Sequence, residues 1–337
     1  MIRIALDGMG GDIGAKVNVL GAMKAVETFK DIEITIFGDE TEIKQYLTNS
    51  ERITVIHSGS VISMGEFDPI KAIRTQKDAS LVMATKYVKD GFSDAIVSAG
   101  PTQAVVIAVH LIIKRMEGMH RVAIAPIVPS LDRKGKILLD VGANIELRSE
   151  HLLELAIYAS VVAESFLNRK NPKVGLLNIG TEAGKGREVD KETFKLLSES
   201  KDVNFVGNIE PKELFTTDSD ILITDGFTGN MILKTLEGTA KGMGLMLKEE
   251  IKSSIGGKIG YLFMRKNLKR FAKRLDASEI GGAMIFGINA PVIKAHGSSD
   301  AKAILNAIKQ ARTFVQADII NKVKDKIKDF NIEGESN

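Results

Sequence analysis

Six short stretches combine glycine with residues that can bind anions or move protons: "LDGMGGD" (6–12), "SAGPTQA" (98–104), "LDVGANIE" (139–146), "LNIGTEAGKG" (177–186), "TDGFTGN" (224–230) and "KAHGSSD" (294–300). Glycine lets backbone amides approach a ligand closely, and helix starts attract anions. Lys185 lies between two glycines in "EAGKG", Asn144 sits in "VGAN", and His296 is the histidine of "AHGSS". Asn230 and Lys234, four residues apart, share a helical face. Each has a plainer reading: a solvated lysine, an asparagine that caps a helix, a scaffold histidine. Six such loops together predict one ligand cleft. His57, His110, His120 and His151 carry no comparable motif.

The opening loop invites comparison with a dinucleotide fingerprint, G-x-G-x-x-G. Gly8 and Gly10 fit, but Ile13 holds the third place and Gly14 comes one residue late. Asp39, after the second strand, could serve as the ribose acid. Asp7 and Asp12 flank the glycines where a pyrophosphate would sit, and their charge opposes it. The same two residues, with Asp140 and Asp225, stand at strand ends, where carboxylates can hold a metal or fix loop shape. No histidine-rich ligand set accompanies them, so loop shape is the expected role. The chain has no cysteine, which excludes a thiolate nucleophile and any cysteine-based cluster. It has no G-x-S-x-G elbow either.

These loops follow apolar runs near Arg3–Leu6, Glu33–Phe37, Ile53–Ile56, Ala95–Ser98, Val122–Val128, Ile137–Val141, Val174–Ile179, Asn204–Val206, Ile221–Thr224 and Ala283–Ile288. The runs are continuous, as strands buried on both faces of a parallel sheet would be. Helical patterns lie between most of them, at Ile13–Phe29, Thr102–Arg115, Glu150–Leu167, Asp190–Glu199, Asn230–Lys248 and Asp300–Lys322. The alternation predicts α/β architecture, a three-layer α/β/α stack around a mostly parallel mixed sheet. In such sheets ligands bind outside the carboxyl ends of strands, so the six loops are expected on one edge.

The 337 residues suit one large domain, and 44% hydrophobic content argues against disorder. Residues 1–330 are expected to form a single two-lobed domain, and the polar stretch 331–337 to fray. The start "MIRIALDG" carries no secretory signal, and no stretch is apolar enough to span a bilayer. A cytoplasmic location follows, peripheral at the inner face of the membrane at most. With 46 basic and 43 acidic residues, the chain has no global nucleic-acid signature.

Taken in order, "DGMGGD", "LLDVGANIE", "VGLLNIGTEAGKG", "FVGNIE", "TDGFTGNMILKTLEG", "GGAMIFGI" and "IKAHGSS" resemble the bacterial phosphate acyltransferase family of phospholipid synthesis. The resemblance runs from Ile2 to about residue 320. It implies the isocitrate/isopropylmalate dehydrogenase-like fold, with intertwined halves on one mixed sheet. It implies reversible transfer of a fatty acyl group from acyl-acyl carrier protein (acyl-ACP) to inorganic phosphate, giving acyl phosphate. Phosphate would attack the thioester directly, with no cofactor and no obligatory metal. Implied partners are acyl carrier protein, a second copy of the chain, a membrane surface and a downstream glycerol-3-phosphate acyltransferase, with no nucleic acid.

Residue by residue, the resemblance makes Lys185 the first choice for phosphate or oxyanion binding, with Asn144, Asn230 and His296 as further catalytic candidates. It implies substrate contacts from Asp7, Gly10, Gly11, Asp12, Ser98, Gly100, Thr102, Arg121, Asn178, Glu182, Gly186, Asp225, Gly226, Gly229, Lys234 and Ser298. The chain departs from the family in "SAGPTQA", where Pro101 and Gln103 replace Asn and Gly. Proline lacks an N–H, and glutamine lacks glycine's backbone freedom, so this loop is expected to be altered. A phosphate acetyl- or butyryltransferase using acyl-CoA, and a carrier- or membrane-binding module with degraded chemistry, are the competing readings.

From Lys252 to Arg274 the chain has eight basic residues and no acidic one. The region 251–275 is expected to be a basic amphipathic helix, with Met264, Leu268, Phe271 and Leu275 at helical spacing and an apolar tip at Ile259, Tyr261, Leu262 and Phe263. Arg265, Lys266, Lys269, Arg270 and Lys273 suit an acidic carrier protein or anionic lipid headgroups. A solvated face over a core stripe, or a dimer contact, is the plainer alternative.

Overall fold

The computed structural model describes residues 1–275 and 281–335. The first part of the chain forms β1 (Ile2–Asp7), α1 (Ala15–Thr28), β2 (Ile32–Gly38), α2 (Glu40–Tyr46), β3 (Ile53–His57), α3 (Pro69–Thr75), α4 (Ser80–Lys89), β4 (Ala95–Ser98) and α5 (Thr102–Ile112). The second forms β5 (Ala123–Val128), β6 (Lys136–Leu139), α6 (Ser149–Phe166), β7 (Lys173–Leu177), α7 (Glu188–Glu199), β8 (Asn204–Ile209), β9 (Ile221–Ile223), α8 (Gly226–Ser253) and α9 (Ile255–Leu275). The chain then returns through β10 (Ala283–Phe286), β11 (Val292–Lys294), α10 (Ala301–Gln316) and α11 (Ile319–Glu335).

All described strands join one sheet of eleven, ordered β3-β2-β1-β4-β11-β10-β5-β6-β9-β7-β8. Seven pairings are parallel. The three antiparallel pairings are consecutive: β11 with β10, β10 with β5, and β5 with β6. The returning strands β10 and β11 thus lie between strands made much earlier in the chain, and α10 packs on α1.

The sheet is buried on both faces, and its side chains alternate as pleating requires. Ile4 and Leu6, Ile137 and Leu139, Ile221 and Ile223, and Met284 and Phe286 face one layer, which contains α1, α6, α10 and α11. Their neighbours Ala5, Ile96 and Ile285 face α3, α4 and α5. On that second face, Leu138 and Leu222 meet Ile232, Leu233 and Leu236 of α8. Helices therefore sandwich a mostly parallel mixed sheet, and the three expected layers are present.

Several local expectations differ. The helix read over Asp300–Lys322 is two helices, because Asp318 turns the chain with a φ of 50°. Strand β11 and helices α2, α3 and α4 were not apparent in the apolar pattern. All are short, and α2 and α3 start on side-chain caps from Asp39 and Asp68 rather than on periodicity. Helix α11 continues to Glu335, through most of the stretch expected to fray, since extending a formed helix costs far less than nucleating one. Residues 336–337 of that stretch lie outside the described residues. Among the described residues, no helix is long and apolar enough to cross a membrane.

Tyr158 on α6 stacks on Phe286 of β10 with ring centroids 4.4 Å apart, fully buried. Its hydroxyl has no hydrogen-bond partner among the described residues, and burial raises its pKa. An unpaired buried hydroxyl costs about 1–3 kcal/mol. Tyr158→Phe is therefore expected to keep or raise the melting temperature in a thermal unfolding scan; a clear drop would reveal a partner for the hydroxyl.

Candidate active site

The pairing directions decide how the six glycine loops are shared. Three antiparallel steps reverse the sheet, so β6, β7 and β9 run opposite to β1, β4 and β11. The loops after β1, β4 and β11 leave from one edge, and those after β6, β7 and β9 leave from the other. The expected single edge is thus corrected to two trios. Apolar periodicity gives strands but not their direction.

The first trio is knotted around buried polar groups. Asp7, 1% exposed, accepts hydrogen bonds from Ser80 Oγ and Ser98 Oγ, both at 2.6 Å. The Gly100 amide donates to Ser98 Oγ at 3.0 Å. Asn18 on α1 donates through Nδ2 to the carbonyls of Gly8, Gly10 and Gly14, and the Asp12 amide donates to Gly297 O at 2.8 Å. Burial pushes the Asp7 carboxyl upward, against these hydrogen bonds. Asp7 and Ser98 are therefore buried ties that shape the loops from beneath. Gly10 and Gly100 touch closely, whereas Gly11, Asp12, Thr102, His296 and Ser298 lie nearer the surface. His296 Nδ1 accepts from the Ser298 amide at 3.2 Å, so its neutral ring carries the proton on Nε2.

At the centre of this trio stands a residue that sequence reasoning did not single out. Lys294 ends β11 at only 7% exposure, and its ammonium donates to the carbonyls of Ala99 and Ala295. Burial pushes it down to about 8, against the pull of Asp7 and Asp12. A lysine closing an apolar strand just before "AHG" is the signal that marks it. Asn18 was missed too; a lone asparagine in the apolar stretch "KVNVLGAM" marks it.

Pro101 and Gln103 disturb this loop less than expected. Pro101 is the residue before α5, where no helical N–H is required, and Gln103 is an ordinary helical residue that makes no use of glycine's freedom. No side chain caps the start of α5.

The second trio is also tied to itself. Asp140 accepts from the amides of Ile124, Gly142, Ala143 and Asn144. Asn144 Nδ2 donates to Asp140 Oδ2 at 2.9 Å and to Val122 O at 2.6 Å. Both of these Asn144 contacts are thereby made within the protein. Asp225 caps α8 by accepting from the Thr228 amide at 2.8 Å, and it pairs with Arg187, which also holds Asp190. Asn230 is accordingly not the helix cap; it lies exposed in the second turn. Asn178 Nδ2 holds Lys185 O, while its Oδ1 accepts from the Ile179 amide. Added Cβ atoms at Gly226 and Gly229 would come 2.1 Å from Asn144 O and 1.9 Å from Asp140 O. These two glycines let α8 cross the 140–144 loop.

Lys185 and Glu182 are exposed here, and the Lys185 ammonium makes no ion pair among the described residues. Gly186 packs against Asn178 and Asp190. Arg121, just before β5, bonds His120 O; burial lowers the pKa values of His110 and His151, and the Arg121 charge adds to it. A cleft of about 440 Å³ opens beside this trio, lined by residues including Arg148, Glu150, Arg187, Glu192 and Asp225. Asp39 caps α2 by accepting from the Glu42 amide at 2.8 Å, so it is not free for a ribose. Among the described residues, no three His, Asp or Glu side chains are grouped to hold a metal.

The two trios are connected by α8. It starts in the second trio, and two turns on, Lys234 pairs with Glu237 at 2.8 Å. Val106 of α5 and Ile232, Leu233 and Leu236 of α8 pack on one apolar cluster, so these helices flank the ground between the halves. Arg265, Lys266, Lys269, Arg270 and Lys273 lie apart from both trios, on α9, which packs along α8.

The sequence profile described as "Fatty acid synthesis protein" matches residues 2–322. A protein named "Phosphate acyltransferase" from Acholeplasma laidlawii is 50% identical over 327 residues, covering 96% of this chain and 98% of the relative. A phosphotransacetylase structure from Streptococcus pyogenes superposes with a TM-score of 0.63 at 19% identity, covering 93% of this chain and 94% of that one. A 4-hydroxythreonine-4-phosphate dehydrogenase from Klebsiella pneumoniae superposes at 0.50 with 13% identity, covering 93% and 98%. The shared fold spans both transferase and dehydrogenase titles.

Gly10→Ala would place a Cβ 2.6 Å from both Asp7 Oδ2 and the Gly100 amide. The variant is expected to lose about 1–3 kcal/mol of stability in a denaturant titration, as overpacked sites do. A stability equal to that of the unaltered protein would show that the first trio is looser than its contacts indicate.

Proposed function

The chain belongs to the fatty acid synthesis protein family, and from that membership we propose that it transfers a fatty acyl group between acyl carrier protein and inorganic phosphate. The supporting observation is the half-identity, over almost the whole chain, to a relative named for phosphate acyl transfer. The phosphotransacetylase fold supports the same reaction class.

The chemistry asks little of a protein nucleophile. An oxygen of hydrogen phosphate attacks the thioester carbonyl carbon; the C–O bond forms, the C–S bond breaks, and the phosphate proton passes to the departing thiolate. Products are acyl phosphate and the free thiol of the carrier. The protein must hold the anion, align it, and stabilise the developing oxyanion. In this reading the first trio supplies amides from Gly11 and the start of α5, with Thr102, His296 and Ser298 around them. His296, with Nε2–H facing outward, donates to phosphate or to the thiolate. Lys185, Glu182 and Arg121 lie on the second side, with Lys185 as the cation for the donor thioester or its phosphate.

The α8–α9 hairpin takes a partner role. Its exposed Ile255, Leu262 and Phe263 lie on the same helix as the basic row Arg265, Lys266, Lys269, Arg270 and Lys273, which suits an acidic carrier or an anionic bilayer. A homodimer is proposed as the assembly.

The decisive assay measures thiol release with phosphate and either palmitoyl-ACP or a short acyl-CoA. Turnover is expected with the carrier substrate; turnover of the short acyl-CoA alone would assign the acetyl- or butyryltransferase reaction, and turnover of neither would overturn acyl transfer. Lys185→Ala is expected to cut kcat at least about tenfold while the melting temperature holds, as loss of a charge-assisted contact should. Reversing Lys269, Arg270 and Lys273 to Glu is expected to weaken binding to the carrier or to anionic vesicles. Binding that ignores both the reversal and added salt would leave the hairpin as a contact between copies.

A further inference from the structure

We propose that helix α3 and the loop before it, through Phe67, Lys71 and Arg74, form the surface on which an acidic carrier protein docks to bring its thioester to the first trio; that the carrier bears a fatty acyl group rests on the reading above.

The loop between β3 and α3 belongs to the edge of the first trio. Strands β3, β2, β1, β4 and β11 pair in parallel, so residues 58–68 leave the sheet where the loops after β1, β4 and β11 leave it. Two contacts tie the loop there. The Ser80 amide donates to Ser60 O at 3.1 Å, while the Ser80 hydroxyl donates to Asp7 at 2.6 Å. Further along, Met64 lies against Gly297, where an added Cβ would come 2.7 Å from the Met64 methyl carbon. Gly297 stands between His296 and Ser298. Helix α3 itself packs on α5, whose start at Thr102 belongs to the same trio. A partner seated on this loop and helix is therefore beside the residues that the reading above gives to phosphate.

The stretch carries more apolar surface than its own packing uses. Ile62, Ala72 and Ile73 are buried and supply the inward face, whereas Val61, Met64, Phe67 and Ile70 are exposed, Phe67 at 99%. Single exposed apolar residues are ordinary, but four on one loop and helix, rimmed by charge, mark an interaction surface. Phe67 and Lys71 also line one open hollow of about 450 Å³, together with Thr75 and Gln76. Aromatic residues are favoured anchors of protein interfaces.

Charge selects the partner. Lys71 and Arg74, one helical turn apart, are exposed and make no ion pair among the described residues. Lys77 adds a third cation at the end of α3, where its ammonium donates to Ile73 O at 3.5 Å. The acids of the same stretch are engaged with their own chain. Glu66 accepts from the Asp68 amide and Asp68 from the Lys71 amide, both at 3.0 Å, and Asp78 accepts from Ser60 Oγ at 2.9 Å. Long cationic side chains reach beyond carboxylates held at the backbone, so the outer surface is positive. A protein with an acidic helix fits it: carboxylates meet Lys71 and Arg74, and an apolar side chain enters the hollow beside Phe67. A bilayer fits less well, because a flat plane of headgroups offers nothing that protrudes into that hollow.

The test uses the full chain and reads the KM of palmitoyl-ACP, the KM of phosphate, and titration with acyl carrier protein itself. Lys71→Glu combined with Arg74→Glu is expected to raise the palmitoyl-ACP KM at least about tenfold and to remove much of the salt dependence of carrier binding, while the phosphate KM and the melting temperature hold. Phe67→Ala is expected to raise the palmitoyl-ACP KM about fivefold with the salt dependence intact. If the charge reversal fails to fold, Phe67→Ala, a change at a fully exposed site, carries the test. Carrier binding and KM indifferent to both changes overturn the surface. Loss of sedimentation with phosphatidylglycerol vesicles, with carrier affinity unaffected, overturns the carrier and assigns the face to a membrane. Carrier binding that depends on Lys71, Arg74 and Phe67 in a protein that releases no thiol leaves the surface in place and overturns the acyl-transfer reading instead.

Discussion

Three successive antiparallel pairings, β11 with β10, β10 with β5, and β5 with β6, turn one end of the sheet over relative to the other. Parallel strands on each side then obey the usual rule for open α/β sheets, with loops of interest at their carboxyl ends, but the two sets of ends leave from opposite edges. A ligand cannot be held by all six glycine loops as one row. The two sets can be joined only by an element that runs from one edge toward the other. The crossing helix α8 does this, because a helix after a strand runs back along the sheet. Its start belongs to the second trio.

This geometry explains why so many polar residues near strand ends are spent on the protein itself. Asp140 gathers four backbone amides and the Asn144 side chain. Asp225 closes α8 and holds Arg187. Asn178 and Asn208 pin the 177–186 loop through the carbonyls of Lys185 and Glu182. Buried polar groups left unpaired are costly, so loops rich in glycine need such internal ties to keep one shape. Gly226 and Gly229 then let the helix pass within contact of the loop that Asp140 has shaped. The second trio is thereby a fixed platform from which α8 departs at a set angle.

The architecture was largely legible from the chain. Continuous apolar runs marked ten of the eleven described strands, and layer alternation followed from residues such as Ile137, Leu138 and Leu139, whose side chains face opposite layers. Strand direction was not legible, because an apolar run reads the same whichever way it pairs; hence one expected edge became two. Short elements escaped for a related reason: α2 and α3 span seven residues each and are set by caps, too short for a period to show. At the site, residue type alone did not separate ligand-binding groups from groups that hold the loops, the plainer reading already given for Asp7. Asn144, Asn178, Ser98 and Asp7 have the chemistry of ligand-binding groups, yet their partners are loop amides, hydroxyls and carbonyls. Lys294 went unnoticed because it closes a strand too short to be recognised, and its burial is a property of three loops that meet only in the folded chain.

The division of charge in the first trio follows from which partner each buried group receives. Asp7 and Lys294 are both buried within the same three loops, and a direct ion pair between them would satisfy both. Such a pair would also leave the loops electrically closed, with no capacity to attract an anion. Instead Asp7 is satisfied by neutral donors, the hydroxyls of Ser80 and Ser98, and Lys294 by neutral acceptors, the carbonyls of Ala99 and Ala295. Neutral partners stabilise a buried charge without cancelling its field, and in a low-dielectric setting that field remains strong at short range. The Asp7 carboxyl lies beneath the loops, held by Ser80 and Ser98, while the Lys294 ammonium holds the carbonyls of Ala99 and Ala295. Separating the two charges costs stability. In return, each buried group is held by several loop contacts, which fixes the three loops against one another.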